Sequence, residues 1–156
     1  MSRDSAKRLI TEYGESVGIP TMALDENDYL ALSNDERVGI NIYYVEDTDV
    51  FLIATTIAEL ENEYRFDIYE ELLTSNFLWE ATGGATLSVT PELTHAMMQQ
   101  VIEVSDLTVE QFSYMLQRHV AMTLAWVTRV QEIMDGDDAP ESEFSEVETT
   151  QPGQLV

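Results

Sequence analysis

No cysteine occurs among the 156 residues. That excludes disulfides, a Cys-ligated zinc site and a thiol nucleophile, and with them the disulfide-stapled scaffold of a small secreted domain. A reducing, intracellular compartment is compatible. Basic residues are also scarce: seven Lys and Arg stand against 30 Asp and Glu, for a formal charge of −23. A field of that sign repels phosphate backbones and anionic lipid surfaces, so DNA, RNA and membrane surfaces are poor partners. Solubility and the steering of a basic protein partner are the uses left for it. No stretch approaches the roughly 20 apolar residues of a membrane span. The start, Met1 to Ile10, carries Arg3, Asp4, Lys7 and Arg8 and lacks the apolar core of a signal peptide. The expectation is a protein that stays in the cytoplasm and inserts into no membrane.

What the sequence does contain is 44% hydrophobic residues in a length suited to one ordinary domain. Ala6, Leu9, Ile10, Tyr13 and Val17 recur at helical spacing from Asp4, and Gly18 and Pro20 end that helix. The polar cluster Asp25-Glu26-Asn27-Asp28 then delivers the chain into Tyr29 to Leu32, read as one irregular strand or the second of two short ones. Val38 to Val45 and Val50 to Ile57 form a hairpin across Glu46 to Asp49. Both strands are apolar on both faces, which predicts a sheet covered on both sides, part of that cover coming from outside the monomer. Phe66, Tyr69, Leu72, Leu73 and Phe77 mark a second helix running up to Trp79. Gly83-Gly84 breaks it, and Thr86 to Thr90 with Ala96 to Val104 make a second hairpin around Pro91 to Thr94.

Thr108-Val109-Glu110-Gln111 is a capping box, in which hydroxyl and carboxamide each take a backbone amide that the first helical turn leaves unpaired. The longest helix follows, with Val109, Phe112, Leu116, His119, Thr123, Trp126, Val130 and Ile133 in one stripe that ends near Met134. From Asp135 to Val156 there are seven acidic residues and no basic one, and disorder is expected. The division is therefore a folded domain over 1–134 and an acidic tail over 135–156. Setting the tail's seven acids aside leaves the domain at −16, so the tail adds to the acidity without creating it.

Reactive constellations are missing. Asp25 to Glu36 has the length of a calcium loop but carries Leu30 where the sharp turn needs glycine. His95 and His119 belong to no HExxH pair or spaced carboxylate set, and His119 lies on the buried stripe. Gly83-Gly84 follows a helix, the reverse of the strand-to-helix order in which glycines bind phosphate. Ser75 and Ser113 sit in no nucleophile elbow. No catalytic, metal or cofactor residue is assigned, and the chain is read as a binding protein, not an enzyme. The consecutive Phe77, Leu78 and Trp79 exceed what one buried helix face can use, and ask for a partner.

The order helix, three strands, helix, two strands, helix resembles the class I type III secretion chaperones, the family of the Tir chaperone. The resemblance spans Ser5 to about Met134. It rests on Gly18-Ile19-Pro20 followed by Ala23 to Glu26, on Glu71 to Trp79, and on Thr82 to Leu87 leading into a strand. It implies an α+β fold with a twisted antiparallel sheet packed by helices, in a bacterial cytoplasmic homodimer. Such a protein binds the N-terminal region of a secreted effector, keeps it partly unfolded and soluble, and delivers it to the secretion apparatus, its ATPase included. The family likeness places the dimer on Tyr69, Leu72, Leu73, Phe77 and Trp79. It places effector contacts, by element, on Leu9, Ile10, Tyr13, Ile40, Ile42 and Leu52. No cofactor is implied. Two other readings stay open: a secretion regulator that sequesters a transcriptional regulator, and an acidic nucleic-acid mimic that occupies a DNA-binding protein.

Overall fold

The computed structural model describes residues 3–33, 38–61 and 63–136. Helix α1 (Arg3–Ser16) is followed by β1 (Tyr29–Ser33), β2 (Gly39–Val45), β3 (Val50–Glu59), α2 (Arg65–Ser75), β4 (Thr86–Val89), β5 (His95–Glu103) and α3 (Val109–Met134). The strands form one antiparallel sheet in the order β1-β2-β3-β5-β4. Each expected helix and hairpin is present. Met22 to Leu24 form no strand, so the early strand is the single β1. Most of the C-terminal tail and the end of the Asp25 to Glu36 cluster lie outside the described residues.

Local chemistry sets the element ends. Thr108 Oγ1 accepts the Gln111 amide at 3.2 Å while Gln111 Oε1 accepts the Thr108 amide at 3.0 Å, closing the capping box. Such a cap is worth about 1 kcal/mol. After α1 the chain folds back sharply: Gly18 is left-handed at φ 78°, and the Ile19 amide bonds the Gly14 carbonyl at 2.7 Å. A Cβ on Gly14 would sit 2.5 Å from Met22 Cβ, so only glycine lets this loop lie against the helix.

All three helices pack on one face of the sheet, so the cover expected on the other face would have to come from outside the monomer. Odd and even residues of a strand point to opposite faces. Ile40, Ile42, Phe51, Ile53, Met98 and Ile102 face the helices and are buried. The opposite face carries Tyr29, Tyr43, Leu52 and Val101, paired strand to strand in one row, with Tyr43 and Val101 exposed. Among the described residues nothing covers that face.

The core has two lobes. One joins α1, the first turns of α3 and the helix side of β2 and β3 around Ile10, Phe51 and Phe112. The other joins α2, the second half of α3 and β4-β5 around Ile68, Leu72, Met98 and Val130. Burying one such side chain stabilises by roughly 1.5–3 kcal/mol. A polar seam lies between the lobes, where β3 passes from Ile53 to Ile57 and α3 from Leu116 to Trp126. His119, 2% exposed, sets Nε2 3.1 Å from Thr55 Oγ1 and Nδ1 3.3 Å from Gln100 Oε1, and Thr55 Oγ1 is 2.9 Å from Thr123 Oγ1. A neutral ring protonated on Nδ1 suits these contacts: it donates to Gln100 and accepts from Thr55, while the Thr123 hydroxyl donates to the His119 carbonyl at 2.9 Å. Burial pushes the His119 pKa down to about 4, so the ring is neutral at ordinary pH.

Candidate protein-binding surfaces

Two apolar surfaces remain after the core is built. The first is a groove of about 470 Å³ between the C-terminal end of α1, the loop after it, the β1-β2 edge and the middle of α3. Tyr13, Ile19, Met22, Leu32, Ile40, Val120 and Leu124 line it. The loop that Gly14 permits puts Ile19 and Met22 at its wall. Tyr13 is anchored by an edge-to-face contact with Phe112, ring centroids 5.1 Å apart. The groove is concave and apolar, and reaches the edge strand β1 at its end, Leu32 and Ser33.

The second surface projects outward. On α2, Ile68 and Leu72 face the core, whereas Phe66 and Leu73 point away from it. A single 3₁₀ turn, Phe77–Trp79, continues from the helix, and its three side chains are 76%, 66% and 56% exposed. Leu78 and Trp79 are both left-handed, at φ 55° and 56°. That conformation costs a non-glycine residue roughly 1–2 kcal/mol, and neither side chain recovers it in the core.

The turn is held by its surroundings. Asn76 Nδ2 donates to the Leu87 carbonyl and Asn76 Oδ1 accepts the Leu87 amide, each at 2.9 Å, so the side chain pairs with the outer edge of β4 as a strand would. Arg129 of α3 grips Glu71 of α2 through two bonds of 3.0 and 3.1 Å. A fork of this kind fixes orientation as well as distance. Trp126 Nε1 donates to the Ala81 carbonyl at 3.3 Å just beyond the turn.

The residues singled out from the sequence divide between these surfaces and the interior. Leu73, Phe77 and Trp79 lie on the projecting surface, Tyr69 is half-buried beside it with its hydroxyl unpaired, and Leu72 is in the core. Tyr13 and Ile40 line the groove. Leu9, Ile10 and Ile42 are buried in the first lobe, and Leu52 is half-buried on the far side of the sheet. Sequence reasoning gave no site role to Phe66, Val120 and Leu124, and counted Leu78 only within the surplus run of residues 77–79. The signal for Val120 and Leu124 was Leu116-Val120-Leu124, a four-residue stripe flanking the buried one.

The architecture agrees with what comparison with known proteins finds. Residues 8–126 match the model of the Tir chaperone protein (CesT) family. The chain belongs to that family. It is a family of chaperones, not of enzymes, and this member is a type III secretion chaperone. A search of curated sequences finds no match. Among solved structures, a chain of the ExsC-ExsE complex superposes with a TM-score of 0.71 at 20% identity, covering 82% of this chain and 96% of that one. A chain of the HopA1-SchA chaperone-effector complex gives 0.62 at 15% identity, covering 82% and 94%. The Yersinia pestis type III secretion chaperone SycH, in complex with a stable fragment of YscM2, gives 0.60 at 12% identity, covering 77% and 98%. At these identities the superpositions show the shared fold. No helix among the described residues is long and apolar enough to cross a membrane.

Proposed function

We propose that this chaperone works in the bacterial cytoplasm as a homodimer, holds the N-terminal region of one or more effectors partly unfolded, and hands it to the secretion apparatus. The observation that carries this reading is the groove, a concave apolar surface between α1, α3 and the sheet at Leu32 and Ile40. An extended segment can seat apolar side chains there, gaining burial without a core of its own. Structures of relatives are of complexes described as chaperone-effector or chaperone with a bound fragment, which supports the same assignment.

Effector contact falls to Tyr13 and Ile40 with Val120 and Leu124, while Leu9, Ile10 and Ile42 act from behind as the support that shapes the groove. The dimer is assigned to Leu73, Phe77, Leu78 and Trp79, with Tyr69 at its margin and Leu72 beneath. Projecting rings need a matching surface, and a second copy supplies one by symmetry. The acidic exterior keeps the loaded complex soluble. The test is co-expression with candidate effectors followed by purification and mass determination. The expected product holds two chaperone chains and one effector segment. A monomer that retains no effector would overturn the reading.

A further inference from the structure

We infer that the open half of β5 is a second docking edge, which takes an extended segment of another protein with an apolar centre and basic flanks. The backbone shows where the edge lies. Thr90 donates to the His95 carbonyl, Leu60 to the Thr94 carbonyl, and the Val104 amide to Asp49. Odd-numbered residues of β5 thus turn their backbone groups toward β4, and even-numbered ones toward β3. Strand β4 pairs only as far as Thr86 with Gln99. Val101 and Glu103 therefore present amides and carbonyls beyond the end of β4, and among the described residues no strand meets them. The outer edge of β4 is closed at Leu87 by Asn76. On β1, Asp25 takes both outward groups of Tyr29. Among the described residues the β5 half-edge has no such cover.

Its surroundings specify the occupant. On the helix side the edge opens into a groove of about 590 Å³ whose apolar wall includes Leu107, Tyr114 and Met115, and Tyr114 is 62% exposed. On the other side Val101, 60% exposed, ends the cross-sheet row that runs through Tyr43 and Leu52. An added strand places alternate side chains on these two apolar surfaces. Glu103 and Asp106, both exposed, form the rim. That charge favours Lys or Arg flanking the apolar centre. It disfavours a second copy, which would set Glu103 against like charge, and the chain's own C-terminal segment, which has no basic residue. The assignment stands on the edge itself and does not depend on the β1 groove.

A labelled decapeptide with a Val, Ile and Tyr centre and two Lys at each end provides the probe, with fluorescence anisotropy as the readout. Binding is expected to weaken at least tenfold when alternate backbone amides of the peptide are N-methylated, since the side chains and charges are unchanged and only the ladder is blocked. Val101→Pro removes an edge donor without touching the β3 side and should have the same effect, and Glu103→Lys should weaken binding further. Binding should move the amide resonances of Val101 and Glu103. No binding by the plain peptide, or equal binding by the methylated one, overturns the proposal even if Val101→Pro does not fold. A change in oligomer mass with Val101→Pro would give the edge to a second copy. A shift of the Val101 amide on deletion of residues 137–156 would give it to the tail. Either overturns the proposal. Effector co-purification with Val101→Pro separates the two assignments: an effector retained by a variant that has lost the peptide leaves the β1 groove intact, and an effector absent from both chains overturns the groove alone.

Discussion

The groove beside α1 and the surface around Trp79 are both apolar, yet one is concave and the other projects. In the groove, Tyr13, Ile19, Val120 and Leu124 converge on an empty volume, so an occupant brings side chains to it. Around Trp79, the large side chains are themselves the occupants, thrust out from a turn that Asn76 pins to β4. A cavity accepts a range of apolar side chains along an extended chain, because loose packing of one residue is made up by the next. Protruding rings instead need a receiving surface of fixed shape. The difference supports the proposed division, adaptable binding at the first lobe and a fixed association at the second.

The hardest test of that division uses neighbours in sequence. Leu72 is 3% exposed and Leu73 is 72% exposed on adjacent positions of α2. Leu72→Asp should destabilise the chain by about 4 kcal/mol or more, because it removes a core side chain and buries an unpaired charge. Leu73→Asp should fold normally and lose the dimer. Urea unfolding reads the first and light scattering the second. A Leu73→Asp chain of unchanged mass would detach the projecting surface from self-association. Trp79→Asp should likewise weaken the dimer about 100-fold, the loss of a central aromatic anchor costing roughly 2–4 kcal/mol.

The seam between the lobes responds to acid. His119 holds a pKa of about 4 in the folded chain against an ordinary value near 6.5. Between those values the unfolded chain binds the proton and the folded chain does not, so stability is lost as pH falls from 6.5 toward 4. From pH 7.5 to 5 the loss is about 2 kcal/mol by this linkage. His119→Gln should flatten the profile over that interval, and subtracting its unfolding curves from those of the parent chain isolates the effect from the titration of thirty carboxyl groups. Parallel profiles would show that the ring is already charged or solvated when folded.

In the groove the effects are smaller. Leu124 is half-buried, and Leu124→Glu should leave unfolding within about 1 kcal/mol of the parent chain while reducing effector retention about tenfold, the equivalent of 1.4 kcal/mol. The dimer should be unaffected. Loss of both functions together would mean that the two surfaces are parts of one.

How much of this could be read beforehand varied with the reach of the signal. The capping box at Thr108, the hairpins and the long buried stripe of α3 are local patterns, and the structure keeps each within a residue or two. The sites were read less well because burial of a single apolar residue depends on what crosses over it. Leu9 and Ile10 follow the same helical period as Tyr13, yet the first two are buried in the core while Tyr13 stays at the groove wall. Apolar residues on both faces of β2 and β3 suggested cover on both, while the helices of the chain all fell on one. Ile42 and Leu52 consequently lie on opposite sides of the sheet. The Phe77 to Trp79 run was legible as a surplus, but the left-handed turn that exposes it was not, since neither Leu nor Trp favours that conformation.

That turn gives the finest test of the comparison. Leu78, at φ 55° and ψ 10°, buries little of its side chain and pays a backbone strain that glycine would not. Leu78→Gly relieves that strain but lets the unfolded chain explore more conformations, and the two effects oppose each other at roughly 1 kcal/mol each. The isolated monomer should therefore change in stability by no more than about 1 kcal/mol, while the dimer weakens through loss of the projecting side chain. Melting at low concentration, where association is negligible, measures the first, and sedimentation at high concentration the second. If the strain is held for the sake of association, the two measurements diverge. Equal and large destabilisation at both concentrations would instead make Leu78 part of the monomer core.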